Sequence, residues 1–444
     1  MKIVLPVHHF PPRFSAGAEL YTLRLARGLQ QHGHDVEVVA IDSIAEGRIG
    51  DLRAMHDTYQ GVPVWRLSFN LLDAPERRRW DFDNPLLGDW FSGYLLRSRP
   101  DIVHFQAGYL LGVAPLRAVA AAGIPSVLTL HDYWFLCPRT TLLRGDGTLC
   151  QQVPDDPSGC VWCRCTEQRR YQLADRLTAG LAGQVARRLV LGEQTDIIAE
   201  RREHLRAALA LPAVLIAPSH FLARQFAPLS DPARLLVLRY GLDTARYRVH
   251  APPPADGTLR IGYTGQIAPH KGVHLLVEAF RALRTASRPA ELHIYGGLEP
   301  RPDYAAQLRR IARDDPRVLF HGRYDHEHLP AILSELDVTV TPSTWYENSP
   351  LAIMEAHAAG TPVITAALGG MAELVRDGID GLHFTPGDAA DLARQLQRLV
   401  DEPQFLRQLR AGVRPPRSAE DELTELLDIY DSVVAAAAPH PRSR

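Results

Sequence analysis

The chain has 444 residues, 46% hydrophobic and 23% charged, with a formal net charge of −2. That length suits two domains, each burying a core of its own. The near-neutral balance gives no reason to expect nucleic acid as a partner, and no apolar run approaches the roughly 18 residues that a bilayer span requires.

The opening MKIVLPVHHFPPR lacks the apolar core and cleavage site of a signal peptide, so the expected location is the cytoplasm. Residues 2–7, KIVLPV, suit a buried strand. The breaker cluster PPRFSAG follows, then AELYTLRLARGLQQHG, whose leucines recur at helical spacing. DVEVVAI, DIVHF (101–105), a helix through LLGVAPLRAVAAAG, and PSVLTL (125–130) continue the alternation. AVLIAPS (213–219) and RLLVL (234–238) close the first half. A second series begins at TLRIGYTG (258–265) after the linker HAPPPADG, and runs through ELHIYGG, RVLFHG, DVTVTPS, TPVITA and GLHFTPG. Strands alternating with helices predict an α/β protein of two doubly wound domains, facing across a cleft, with ligands at the carboxyl ends of the strands. The expected division is 1–238, 239–418, and a terminal helix and frayed tail over 419–444 ending in PHPRSR.

The stretch TPSTWYENSPLAIMEAHAAGTPVITAALGG (341–370) holds Glu347 and Glu355 with seven residues between them. It predicts a helix with Asn348 or Ser349 as cap and Pro350 in the first turn, just before Leu351. Free N–H groups and the positive dipole end at that start would favour an anion. Glu355 would lie roughly 12 Å along the axis from Glu347 at 1.5 Å per residue. A diphosphate on the helix start would then have one carboxylate near each flanking group, as two sugars joined through a diphosphate require. The plainer alternative is a capped helix with one buried, paired glutamate. GQIAPHKG (265–272) follows the first strand of the second series, so the Lys271 ammonium, ahead of Gly272 and a helix, could meet a phosphate. It could equally be a solvated lysine. Gly17, in FSAGAE, turns the first strand into the first helix, where backbone N–H groups can approach an anion. His131 ends PSVLTL at a carboxyl strand end, either as a site residue or as a structural hydrogen-bonder.

Together these residues resemble the retaining glycosyltransferases of family GT4, which have the GT-B fold. The resemblance spans nearly the whole chain, most strongly 258–384, and its most specific element is Glu-x7-Glu. It implies that Glu355 binds the ribose hydroxyls of a nucleotide-sugar donor and that Glu347 sits by the transferred sugar and the β-phosphate. Lys271 and the Gly17 turn would hold the diphosphate and His131 would touch the transferred sugar, with Gln266, Asn348, Ser349, Pro350 and Leu351 completing the donor site. The first domain would take a glycan or lipid-linked acceptor, and LDIYDSVV would belong to a terminal helix packed back on it. The sugar would move with retention by a front-face route, with no divalent metal or other cofactor required. Two departures stand out: Gln266 replaces the usual arginine, and Ala16-Gly17 the usual pair of glycines. Lys271 and helix dipoles would therefore carry more of the leaving charge. Other readings are a GT-B phosphorylase or epimerase, disfavoured by Glu-x7-Glu, and a non-catalytic nucleotide-sugar binder or metal-dependent regulator. DFD (81–83) superficially matches the DxD metal motif of the other main glycosyltransferase fold, but it precedes the helix candidate NPLLGDWF and is discounted.

All five cysteines lie between Cys137 and Cys165. Cys137, Cys150, Cys160 and Cys163 end in a C-x2-C, which suggests structural zinc or, alternatively, an iron–sulfur cluster in a Cys-rich insertion near 137–165 with little core of its own. Unpaired thiols in a loop are the other option. Finally, APERRRW (74–80) and EQRRYQLADRLTAGLAGQVARRLVLG (167–192) are basic segments that could meet an anionic membrane surface at the inner face of the membrane.

Overall fold

The computed structural model describes residues 1–189, 192–247 and 256–437. Most of the linker HAPPPADG, two residues of the second basic segment and the tail PHPRSR lie outside the described residues. The chain forms two compact units: 1–218 with 222–238 and 423–444, and 219–221 with 239–422.

The first unit is built on an eight-stranded sheet of order β3-β4-β2-β1-β5-β6-β7-β8. Its strands are β1 (Lys2–Val7), β2 (Asp35–Ser43), β3 (Leu52–Tyr59), β4 (Val62–Phe69), β5 (Ile102–Phe105), β6 (Ser126–Thr129), β7 (Val214–Ala217) and β8 (Leu235–Val237). The central strands β5 and β6 are buried throughout, as expected of parallel strands covered on both faces. The edge hairpin β3–β4 is antiparallel and turns at Gln60-Gly61, both with positive φ. The apolar runs of the sequence do not announce it, because β3 is mostly exposed. Sheet order reverses between β1 and β5, so chain leaving these two strands diverges and opens a crevice at their carboxyl ends.

The second unit carries a six-stranded parallel sheet of order β11-β10-β9-β12-β13-β14. Its strands are β9 (Leu259–Thr264), β10 (Ala290–Tyr295), β11 (Val318–Gly322), β12 (Val338–Thr341), β13 (Val363–Ala366) and β14 (Gly381–Phe384). Here the order reverses between β9 and β12, and each of the six apolar runs read from the sequence forms a strand.

The terminal helix Ala419–Ala437 anchors in the first unit through a buried polar contact. His104, fully buried in β5, has Nδ1 2.6 Å from the Tyr430 hydroxyl and Nε2 2.7 Å from Thr129 Oγ1. Burial pushes its imidazole down to about 3, so it is neutral in the fold. Tyr430→Phe leaves a buried ring nitrogen unsatisfied and should cost about 1–3 kcal/mol in denaturant titration. Unfolded, the same histidine takes up a proton near pH 6.5. Its contribution to stability is therefore complete above about pH 6.5 and declines as pH falls toward the folded value. An unchanged midpoint in the variant, or no loss of stability in the parent between about pH 7 and pH 5, would contradict this.

Candidate functional site

In the second unit, Lys271 and Glu347 come from the segments after β9 and β12, the strands at which sheet order reverses. Gly272 makes their approach possible. Its φ is +71°, and a Cβ there would lie 1.9 Å from the Pro342 carbonyl oxygen, so only glycine lets this segment close on the end of β12. Thr344 N–H donates to the His270 carbonyl at 2.8 Å, tying the two segments together.

Glu347 is only 7% exposed. Its Oε1 accepts from Lys271 Nζ at 2.6 Å, Trp345 Nε1 at 2.7 Å and Ser343 Oγ at 2.8 Å. Lys271 Nζ also lies 5.2 Å from the centre of the Trp345 ring. Burial pushes the Glu347 carboxyl up, but the Lys271 charge and the three donors outweigh it and hold it below its ordinary value. The pair is an ion pair. From the far side, Gly370 N–H donates to the Glu347 carbonyl at 2.7 Å. A Cβ on Gly370 would lie 1.6 Å from the Asn348 carbonyl oxygen, so the glycines closing the opening stretch clamp its middle.

The helix after this segment is Leu351–Ala358 and starts later than the pattern predicts. Pro350 is its N-cap in extended conformation, and no side chain caps it. Neither Asn348 nor Ser349 does so; Ser349 Oγ instead lies 3.9 Å from Met354 Sδ. Only Leu351 to Glu355 is helical, about 6 Å of rise rather than 12. A helix start without a side-chain cap leaves N–H groups for an incoming anion. One turn in, Glu355 is 6% exposed and accepts from His326 Nε2 at 2.7 Å and the Tyr247 hydroxyl at 3.4 Å. Gln266 is exposed, with its carbonyl accepting from the Tyr263 hydroxyl at 2.6 Å.

In the first unit, Gly17 opens the helix Gly17–Gln31 after β1, with nothing within 4 Å of where its Cβ would be. Two residues on, buried Glu19 lies 3.3 Å from His8 Nε2. Glu19 Oε2 and His8 Nδ1 are buried with no hydrogen-bond partner among the described residues. His131 follows β6; its Nε2 donates to Oε1 of Gln106, the residue after β5, at 3.1 Å. Its ring meets Tyr21 edge-on at 4.9 Å, and burial pushes the imidazole down to about 3. His131 is therefore neutral at ordinary pH. Sequence reading missed His8, Glu19 and Gln106 here, and Tyr247, His326, Ser343, Trp345 and Gly370 in the second unit. The positions of His8 and Gln106, each directly after a strand, were the available signal.

The cysteines do not form the expected metal centre. Among the described residues, no three His, Cys, Asp or Glu side chains are grouped to hold a metal ion, so Cys137, Cys150, Cys160 and Cys163 do not fit zinc or an iron–sulfur cluster as they stand. Cys150 Sγ donates to the Gln152 carbonyl at 3.3 Å, and Cys160 Sγ accepts from Arg202 Nη2 at 3.1 Å. Burial pushes the Cys150, Cys160 and Cys165 thiols up, and that of Cys163 up to about 11, so they are protonated in this state. The insertion shares a core with the helices that follow: Val153, Cys160, Val161, Trp162 and Cys165 cluster with Ala186 and Ile198. In the DFD stretch, Asp83 is bonded to Arg117 and to His204, a structural role.

Known proteins match this arrangement. The family profile "Glycosyl transferases group 1" matches residues 258–402, and "Glycosyltransferase Family 4" matches 15–246. A "Glycogen synthase" of Mycobacterium tuberculosis is 34% identical over 206 residues, 46% of this chain and 48% of that one, so the match spans about half of this relative. An "MMP alpha-(1->4)-mannosyltransferase" of Mycolicibacterium hassiacum is 26% identical over 95% of this chain and 96% of its own. Among solved structures, Anabaena HepE in complex with UDP superposes with a TM-score of 0.65 at 16% identity, covering 97% of this chain and 100% of that one. Two parallel-sheet α/β units of this kind make the GT-B fold. With more than half of its residues matched by the family profile, the chain belongs to glycosyltransferase family 4.

Proposed function

We propose that the protein transfers a sugar, with retention at its anomeric carbon, from a nucleotide-sugar donor to a glycan or lipid-linked acceptor. The observation that carries this reading is the buried Lys271–Glu347 pair beside the uncapped start of the helix Leu351–Ala358, with Glu355 one turn further on. The donor diphosphate would lie on that helix start and on the Lys271 ammonium, which together stabilise the charge that grows as the sugar–phosphate bond breaks. Gln266 adds no charge there. Glu355 would accept from the ribose hydroxyls, and Glu347 would face the sugar while orienting Lys271. The departing phosphate would take the proton of the attacking acceptor hydroxyl on the same face, so the route calls on no divalent metal. In the first unit, Gly17 with the open space around it, and neutral His131, are the residues expected to contact the donor. The UDP in the HepE structure supports a nucleoside diphosphate as the leaving group.

Peripheral contact with an anionic membrane belongs to the same reading. Among the described residues no helix is long and apolar enough to cross a membrane. However, Leu173, Leu177, Leu181 and Val185 recur every four residues along the helices Arg169–Leu177 and Leu181–Leu189, each more than half exposed. Arg169, Arg170, Arg176, Arg187 and Arg188 accompany them, the composition of a helix that rests in a headgroup layer.

Glu355→Gln should weaken donor binding about tenfold or more, since hydrogen bonds to a charged acceptor contribute about 1.5–3 kcal/mol each. Glu347→Gln should instead lower kcat by about 10²–10³ with a smaller effect on affinity. A panel of nucleotide sugars, assayed for binding and turnover, checks both; parent-like values for both variants would remove the assignment. In sedimentation with vesicles, binding should require anionic lipid and fade as salt rises. Vesicles left unbound at low salt would favour a soluble acceptor.

A further inference from the structure

Two adjoining cavities in the first unit, of about 310 and 360 Å³, share Arg78, Arg164, Ile197 and Ile198 in their walls. Arg77 and Arg201 also line the larger one, and Tyr171 the smaller. The walls come from the segment Arg77–Trp80 and the helices Pro157–Cys165, Arg169–Leu177 and Gly192–Leu209. Four arginines thus line the larger hollow. Their neighbour Arg79 shows what a satisfied arginine looks like here: it pairs with Glu76 at 3.1 Å and Glu200 at 3.0 Å. Arg77, Arg78 and Arg164 have no such carboxylate partner among the described residues.

Arg201 is the stronger sign. It is 4% exposed, yet its bonded partner is the Trp134 carbonyl, and its guanidinium lies 5.0 Å from the centre of the Trp134 ring. Burial pushes it down to about 10; the charge of Asp81 and the nearby Cys137 and Cys160 thiols pull the other way, and the like charge of Arg164 adds to the fall. The wall carboxylates do not balance the arginines. Asp81 lines the larger hollow with all four, and Glu167 is engaged by Arg139. A buried cation with no carboxylate bonded to it and a like charge nearby is unfavourable unless an anion joins them. Converging planar forks favour the tetrahedral, multiply charged oxygens of a phosphate.

We infer that this hollow is a binding site for the phosphate or diphosphate group of an amphiphilic acceptor. The apolar part of that acceptor is indicated by the helix that supplies Tyr171: beyond it, the same helix exposes Leu173 and Leu177. Assigning the bound group to an acceptor rests on the transferase reading; the anion site itself does not.

The test compares parent protein with Arg78→Gln/Arg164→Gln, Leu173→Ser/Leu177→Ser and Lys271→Ala. Both arginines and both leucines are exposed, so these changes leave the core intact. Calorimetric titration with inorganic pyrophosphate should show binding to the parent and to Lys271→Ala, and at least tenfold weaker binding to the arginine variant. Farnesyl diphosphate should bind the parent more tightly than pyrophosphate does, and the leucine variant should lose that gain. Pyrophosphate lost in Lys271→Ala but kept in the arginine variant would put the anion in the donor site and overturn the inference. So would equal affinities of parent and arginine variant, or no binding at all. Binding only to phosphatidylglycerol vesicles, with neither soluble diphosphate bound, would mean a diffuse lipid contact and likewise overturn it. Donor hydrolysis in Glu347→Gln, measured alongside, reports on the transferase reading separately.

Discussion

A carboxylate as far from water as Glu347 persists as an anion only if positive charge and hydrogen bonds replace its hydration. Lys271, Trp345 and Ser343 supply these on a single oxygen. Removing one partner of such a pair costs about 3–5 kcal/mol, because the other charge is left stranded. The surrounding chain is shaped to keep the pair together. Gly272 has no side chain to collide with the Pro342 carbonyl, and Gly370 none to collide with that of Asn348. The lysine is therefore held before any ligand arrives, close to a helix start that no side chain caps.

The first unit repeats the same topological logic with different chemistry. Its sheet also reverses order beside the first strand; Gly17, Glu19 and Gln106 come from the segments after β1 and β5 at that reversal, and His131 from the end of the adjacent β6. Here the groups are neutral or paired, and the surplus positive charge lies apart, in the arginine-lined hollow. That division of labour suits a donor whose diphosphate needs cations at the reacting bond and an acceptor whose hydroxyl does not.

Much of this was legible in the sequence because buried parallel strands read as short apolar runs. All six strands of the second sheet are such runs. The hairpin β3–β4 was not legible, since an exposed edge strand such as LRAMHDTY carries no continuous apolar signal. Glu-x7-Glu with its flanking glycines marked the segment proposed to hold the donor, but the residues supporting the two glutamates did not stand out. Tyr247 and His326 reach Glu355 from 108 and 29 residues away, and nothing in their local sequence marks them. Pro350 misled: proline is common in a first helical turn, but here its extended backbone makes it the cap, which shortens the helix and brings Glu355 nearer the start. The cysteine spacing is a different case. C-x2-C is compatible with a metal, but among the described residues no metal site is grouped: Cys160 and Cys165 join a small apolar cluster, and Cys150 and Cys160 bond to Gln152 and Arg202.

The account stands on the claim that Lys271 and the start of the helix Leu351–Ala358 receive a diphosphate. The most direct measurement compares equilibrium binding of nucleosides with that of the corresponding nucleoside diphosphates, in parent protein and in Lys271→Ala. The account predicts that at least one nucleoside diphosphate binds the parent far more tightly than its nucleoside. It also predicts that Lys271→Ala removes tenfold or more of that difference while leaving nucleoside affinity, which depends on Glu355, unchanged. Equal affinity of the parent for nucleoside and nucleoside diphosphate would contradict it.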